Sequence, residues 1–251
     1  MTKSEVKKTH IFWTGGWDST FRVLQLLMTT DVVVQPHFII RYEGSTGIEI
    51  NAMNDIRRMT IRRYPSVRQR FLPTKYINAS LIERHADIEN QIEEARQNGR
   101  LIDPQYDLMA NYCREFSIDE IELGVDVFPG SDIEKWHKKS LGGIPAFKSF
   151  AYPIWKLTKN DTLQIAKQND WLDIMSLTSF CRKPIIKVKP CGTCGPCIDT
   201  VVTGLDFRLP FRSRIKARIQ KPFRQFWRKS YHKNQNHWFY KFVKKKFADK
   251  F

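Results

Sequence analysis

Apolar residues crowd at 10–13, and the break Thr14-Gly15-Gly16 follows at once, which is the pattern of a short buried strand running into a turn. Beyond the turn, Phe21, Leu24, Leu27 and Met28 fall at helical spacing, so residues 18–28 are expected to form a helix. Residues 32–40 are apolar and rich in β-branched side chains and predict a second strand. Ile50, Met53, Ile56 and Ile61, with basic residues between them, predict a helix over 49–64. A weaker strand is expected at 71–77, a charged amphipathic helix at 81–97 ending at Asn98-Gly99, another helix at 104–116, and strand character again at 118–127. Residues 128–150, with Pro129-Gly130 and Gly142-Gly143, read as a long loop of the kind that forms lids and binding loops. Residues 158–171 read as a helix that Thr158 or Asn160 could cap. Strands alternating with helices predict an α/β fold with a parallel sheet covered on both faces.

The length of 251 residues suits one large α/β domain, or one domain with an appendage. No uninterrupted apolar run reaches the roughly 18 residues of a spanning helix. Residues 1–8 are polar and lack the apolar region and cleavage site of a signal peptide, so the expected compartment is the cytoplasm, where thiols stay reduced. Charge divides the chain unevenly. The net charge is +16, yet residues 208–251 hold 15 Lys/Arg and a single acid, Asp249, leaving only +2 for the first 207 residues. This places the domain at 1–207 and a basic, aromatic-rich extension at 208–251, and any argument about an anionic partner belongs to the extension.

Two clusters carry chemistry. In Thr14-Gly15-Gly16-Trp17-Asp18-Ser19-Thr20, adjacent glycines let the backbone turn tightly and approach a ligand, and the helix start offers free amides and a positive dipole end to phosphate. Thr14, Ser19 and Thr20 add hydroxyl donors, while Asp18 is suited to hold Mg²⁺ bridging phosphate oxygens. No lysine follows the glycines as in a Walker loop, and the third glycine of a dinucleotide fingerprint is absent. The other cluster is Cys181-x9-Cys191-x2-Cys194-x2-Cys197, with Gly192, Gly195 and Pro196 between the ligands. Four thiolates suit a closed tetrahedral Zn²⁺ site, and an iron–sulfur cluster is the alternative. The fifth cysteine, Cys113, reads as a buried apolar residue of a helix.

The turn resembles the Ser-Gly-Gly-X-Asp-Ser loop of the PP-loop ATP pyrophosphatases, with Thr14 in place of the usual serine. Together with Ser179-Phe180-Cys181, the segment Pro190-Cys191-Gly192-Thr193-Cys194-Gly195-Pro196-Cys197 and the stretch Tyr152-Pro153-Ile154-Trp155-Lys156-Leu157-Thr158-Lys159, it is similar to the 7-cyano-7-deazaguanine synthases over about residues 8–205. The resemblance implies a Rossmann-like fold, a zinc held by the four cysteines, and adenylation of a small carboxylated substrate by ATP with ammonia as the nitrogen donor. It implies that residues 14–20 bind the pyrophosphate of ATP, that Asp18 and Ser19 act in catalysis, and that Lys159 or Lys156 neutralises charge on the transferring phosphate. Residues 124–132 fall where the family contacts its substrate. The chain departs from the family in residues 41–102 and in the basic extension. Sulfur insertion into tRNA, amidation of a sugar or another metabolite, and non-catalytic nucleotide binding are the alternative readings.

The extension mixes its cations with Phe211, Phe223, Phe226, Trp227, Tyr231 and further aromatics, and Pro210 and Pro222 are expected to break it into pieces. Nucleic acid, an anionic membrane surface, and packing on the body or on a second copy in a homodimer are its three candidate partners.

Overall fold

A computed structural model describes residues 7–41, 44–100, 102–125, 141–184 and 189–233, with side-chain surroundings given as far as Arg224. Contacts divide the chain into two compact units, Met1–Ser179 and Phe180–Phe251. The division falls ahead of the cysteines, not at 207/208 where the charge changes, because the basic segment packs on the cysteine segment.

The first unit is a Rossmann-like α/β layer structure. Five parallel strands, β1 (Lys8–Phe12), β2 (Val33–Ile40), β3 (Lys75–Asn78), β4 (Ile121–Leu123) and β5 (Phe150–Ala151), lie in the order β3-β2-β1-β4-β5. The register pairs Phe12 with His37 on one side and with Leu123 on the other. Helices α1 (Trp17–Thr29), α2 (Thr46–Arg63), α3 (Ala86–Gln97), α4 (Pro104–Glu115), α5 (Lys159–Gln168) and α6 (Leu172–Ser176) accompany the sheet. Alternation along β1 sends Phe12 to a core shared with Ile88, Ile92 and Tyr112 of α3 and α4. Trp13, directed to the other face, meets Phe71 and donates to Thr20 of α1 at 3.0 Å. Cys113 is buried in α4, as its helical context suggested, and burial pushes its thiol up to about 12.

Several elements differ from the sequence expectation. Residues 81–85 precede the helix, which starts at Ala86. The stretch 71–77 makes one isolated bridge, Val34 to Phe71, before β3 begins at Lys75. The helix expected over 158–171 stops at Gln168, because Asp170 takes a left-handed φ of 58° and α6 starts afresh. Its start is Thr158, in a capping box with Asp161. Part of the expected loop 128–150 lies outside the described residues; its end contributes a short 3₁₀ turn and β5.

In the second unit α7 (Gly195–Val202) and α8 (Phe211–Lys233) pack together. The core consists of the four cysteines with Ile198, Leu209 and Ala217. Pro222 does not break α8, contrary to expectation; the helix runs through it. Proline lacks the amide that the carbonyl of Arg218 would accept, and Pro222 lies on an exposed side where water can substitute. The aromatic residues beyond 233 lie outside the described residues.

A buried polar chain crosses the α4 face of the sheet. His10 Nδ1 is 2.8 Å from His37 Nε2, and His37 Nδ1 is 2.6 Å from the Tyr112 hydroxyl. Burial first, then the charge environment of His10 and Lys75, pushes the His37 imidazole down to about 3. An unfolded histidine takes its proton near pH 6.5. The stabilisation from neutral His37 is therefore complete above about pH 6.5 and is lost as pH falls toward 3. Urea unfolding between pH 7 and 4.5 is expected to show stability falling with acid. In His37→Gln the slope should be shallower by up to one proton, or about 1.4 kcal/mol per pH unit. An unchanged slope would exclude His37 as the source.

Candidate active site and metal centre

The order β3-β2-β1-β4-β5 reverses direction between β1 and β4, and open α/β sheets bind ligands outside the carboxyl ends of the strands at such a reversal. Both strands deliver a glycine-containing turn there. After β1, the Trp13 amide still donates to the His37 carbonyl at 2.9 Å, and the chain then breaks away. Gly15 takes φ 65°, and a Cβ on it would lie 3.0 Å from the Glu49 carbonyl and 3.1 Å from Met53 Cγ. Its carbonyl accepts from the Ser179 amide at 2.8 Å. Gly16 is the N-cap of α1 and offers no side chain to cover the first amides of the helix. After β4, Gly124 is pressed against the same turn: a Cβ there would be 2.5 Å from the Ser19 nitrogen and 2.6 Å from Ser19 Cα. A buried ion pair keeps this register, since Arg22 of α1 donates to both oxygens of Glu122 on β4 at 2.7 and 2.8 Å.

The candidate residues separate by side-chain position. Thr14 is exposed and Asp18 is half-buried. Ser19 is buried, and among the described residues its hydroxyl has no hydrogen-bond partner. Lys159, the first residue of α5, pairs with the Asp18 carboxylate, whereas Lys156 is exposed. Two members of the motif face inward. The Trp17 indole donates to Thr162 of α5 at 2.9 Å, which leaves Trp17 only its backbone to offer a ligand. Thr20 is fully buried and its hydroxyl accepts from Trp13, so it holds the turn to the strand instead of lining its mouth as expected. Of residues 124–132, only Gly124 and Val125 lie among the described ones. The Arg22–Glu122 pair was not singled out in the sequence; two charges 100 residues apart gave no local signal.

A turn whose helix start has no side-chain cap, with a buried hydroxyl that lacks a partner among the described residues and an acid–lysine pair, fits a metal-bound polyphosphate: amides and hydroxyl can donate to oxygens, and carboxylate and ammonium each match one partner of a cation–anion pair.

The metal centre is formed by one sulfur from each of Cys181, Cys191, Cys194 and Cys197, all buried and all within 4.8 Å of one another. Two of the sulfur–sulfur distances, Cys191–Cys197 and Cys181–Cys194, are 3.9 Å. A tetrahedron with Zn–S bonds of about 2.3 Å has edges of about 3.8 Å, so the set fits a single Zn²⁺. The turn at Cys191 is arranged for a thiolate. The amides of Thr193 and Cys194 donate to its sulfur at 3.3 Å, and the Thr193 hydroxyl donates at 3.4 Å. Burial opposes the charge on Cys191, but these donors outweigh it and hold its thiol below the ordinary range. Between Cys191 and Cys194, Gly192 lies against α8: a Cβ would be 2.2 Å from the Ser213 carbonyl.

No family profile matches the chain, and no curated protein matches it. Among solved structures it is similar to the U34-tRNA thiolase NcsA from Methanococcus maripaludis, determined with its [4Fe-4S] cluster. The match has 14% identity and a TM-score of 0.40, and covers 86% of this chain and 71% of that one. At that level the likeness assigns no activity to this chain.

Two consequences can be measured. Gly124→Ala places a methyl group against backbone that cannot yield cheaply; it is expected to cost about 1–3 kcal/mol in urea unfolding and to weaken Mg²⁺–ATP binding by calorimetry. Unchanged binding and stability would show that the two turns do not meet. Cys194→Ser is expected to lose stoichiometric metal in elemental analysis and to expose α8 to proteolysis, since structural zinc contributes on the order of 10 kcal/mol of folding free energy in small sites. Retention of one metal per chain with parental protease resistance would contradict a four-sulfur site.

Proposed function

We propose that this chain is an ATP-using enzyme of the PP-loop type that adenylates a carboxylate on a small substrate for attack by ammonia, as in the formation of 7-cyano-7-deazaguanine. The observation that carries the reading is the buried, unsatisfied Ser19 hydroxyl, set where the turns after β1 and β4 meet and beside the Asp18–Lys159 pair. The motif suggests the nucleotide, and its place at the sheet's strand-order reversal supports the reading.

In this reading the amides opening α1 and the Ser19 hydroxyl donate to the pyrophosphate of ATP. Asp18 would hold Mg²⁺, and the ion would supply charge neutralisation to the phosphate oxygens. Lys159 leaves Asp18 and turns to the phosphate, where its positive charge stabilises the transition state. A carboxylate oxygen of the substrate bonds to the α-phosphorus as the bond to pyrophosphate breaks. The nitrogen of ammonia then bonds to the acyl carbon, AMP departs with the bonding electrons, and a proton passes to solvent, leaving the amide. Repeating the activation on the amide oxygen, with loss of AMP and two protons, gives the nitrile. The four cysteines hold zinc as a structural ion. Their compact spacing supports one ion over a cubane cluster, whose thiolates stand about 6 Å apart. For that reason sulfur insertion into tRNA is the second reading.

The test is product analysis after incubating the metal-loaded full chain with ATP, Mg²⁺, ammonium and 7-carboxy-7-deazaguanine. AMP, pyrophosphate and the nitrile are expected together. Asp18→Asn and Lys159→Met should each lower kcat by about a hundredfold or more, and each should also lower the melting temperature because it removes one partner of a shielded ion pair, while the variants remain folded at the assay temperature. ATP binding without turnover would discard this substrate, and absence of ATP binding would discard the PP-loop reading itself.

A further inference from the structure

Among the described residues, one face of helix α8 is buried and an apolar stripe on another face is left exposed. Ser213 and Ala217 are buried against the cysteine segment, at 7% and 0% exposure. The same side is secured by Ser213, which donates to the Pro190 carbonyl at 2.6 Å, and by Arg224, which donates to both oxygens of Asp199 at 3.0 Å. Phe211, Ile215, Ile219 and Phe223 follow one another at intervals of four, and they are 75%, 44%, 64% and 68% exposed. At about 100° per residue, steps of four drift by about 40°, so these side chains form a continuous stripe. The centre of that stripe lies about 160° around the helix from the buried side. Arg212 and Lys216 border it on one edge, and Arg214 and Arg218, the latter paired with Asp206 at 2.6 Å, border it on the other. The helix contains nine Lys/Arg and no Asp or Glu.

We propose that this outer face of α8 docks on an anionic lipid bilayer, with the stripe entering the boundary between headgroups and acyl chains and the flanking cations meeting the headgroups. An amphipathic helix with cations beside an apolar stripe lies in the plane of such an interface. Among the described residues no helix is long and apolar enough to cross a membrane, which fits surface attachment. The composition of the stripe separates this partner from the others. Ile215 and Ile219 at its centre offer no ring for stacking on bases, the main apolar contact of single-stranded nucleic acid. Pairing with α8 of a second copy would bring two acid-free cationic helices together. The surface is independent of the ATP site, so its test does not require turnover.

The experiment is co-sedimentation of the metal-loaded full chain with vesicles of phosphatidylcholine alone and of phosphatidylcholine mixed with phosphatidylglycerol. The parent is expected to pellet with the mixed vesicles and to remain in solution with phosphatidylcholine. The double variant Ile215→Asp/Ile219→Asp should reduce the bound fraction by about tenfold or more with unchanged thermal melting, because exposed positions carry the change. Phe211→Asp alone, at the most exposed position of the stripe, should weaken binding if the double variant fails to fold. The proposal is overturned if the parent does not pellet, or if folded stripe variants pellet like the parent. It is equally overturned if the variants lose self-association or binding to a single-stranded oligonucleotide and keep their affinity for the vesicles.

Discussion

Two stretches of backbone meet without a side chain between them where Gly124 lies against Asp18 and Ser19. The candidate active site depends on this contact. β1 and β4 are neighbours in the sheet, but their turns could diverge beyond it; the missing Cβ lets them close. The Arg22–Glu122 pair fixes the same geometry from inside, because a buried carboxylate with both oxygens occupied holds α1 at one height over β4. Ser179, bound to the Gly15 carbonyl, closes the turn from its other side. Among the described residues the Ser19 hydroxyl is buried without a partner, while its neighbours Trp13, Trp17 and Thr20 are satisfied.

The second unit is organised differently. Among the described residues its hydrophobic cluster contains seven buried residues, four of them cysteines, so the sulfurs lie at the centre of that cluster and a metal held by them would tie it together. The cationic helix belongs to the same compact unit as the cysteines. The cations of α8 project from a helix whose small residues, Ser213 and Ala217, let it lie close against Gly192 and α7.

Local patterns were legible. The strand before the turn, α1, β2, α2 and α4 followed from apolar spacing, and the four cysteines followed from their spacing because ligands of one ion must return to one point. What escaped was either too short or too distant in sequence. β5 has two residues, too few for any period, and lies in the expected loop. The left-handed turn at Asp170 that splits the helix expected over 158–171 is a conformation that aspartate tolerates without announcing. In the phosphate motif the residue types were readable but their directions were not. Thr20 and Trp17 resemble ligand contacts in sequence, yet each is committed to a partner inside the first unit, Thr20 to Trp13 and Trp17 to Thr162. Gly124 could be noticed as a glycine after a strand, but its nearness to Ser19 arises only when residues more than a hundred positions apart are brought together.

The pairing of Lys159 with Asp18 has a bearing on the order of events at this turn. Lys159 opens α5, where the positive end of the helix dipole disfavours a cation, and it is accommodated beside the Asp18 carboxylate. A metal ion that captured Asp18 alone would part the ammonium from this carboxylate, and a phosphate that captured the ammonium alone would part the carboxylate from this cation. Both groups are largely shielded from water, so each separation is costly. Exchange becomes favourable when both replacements arrive in one ligand. On the proposed reading the pair would work as a coincidence detector, answering to a cation and an anion joined in one ligand and not to either alone.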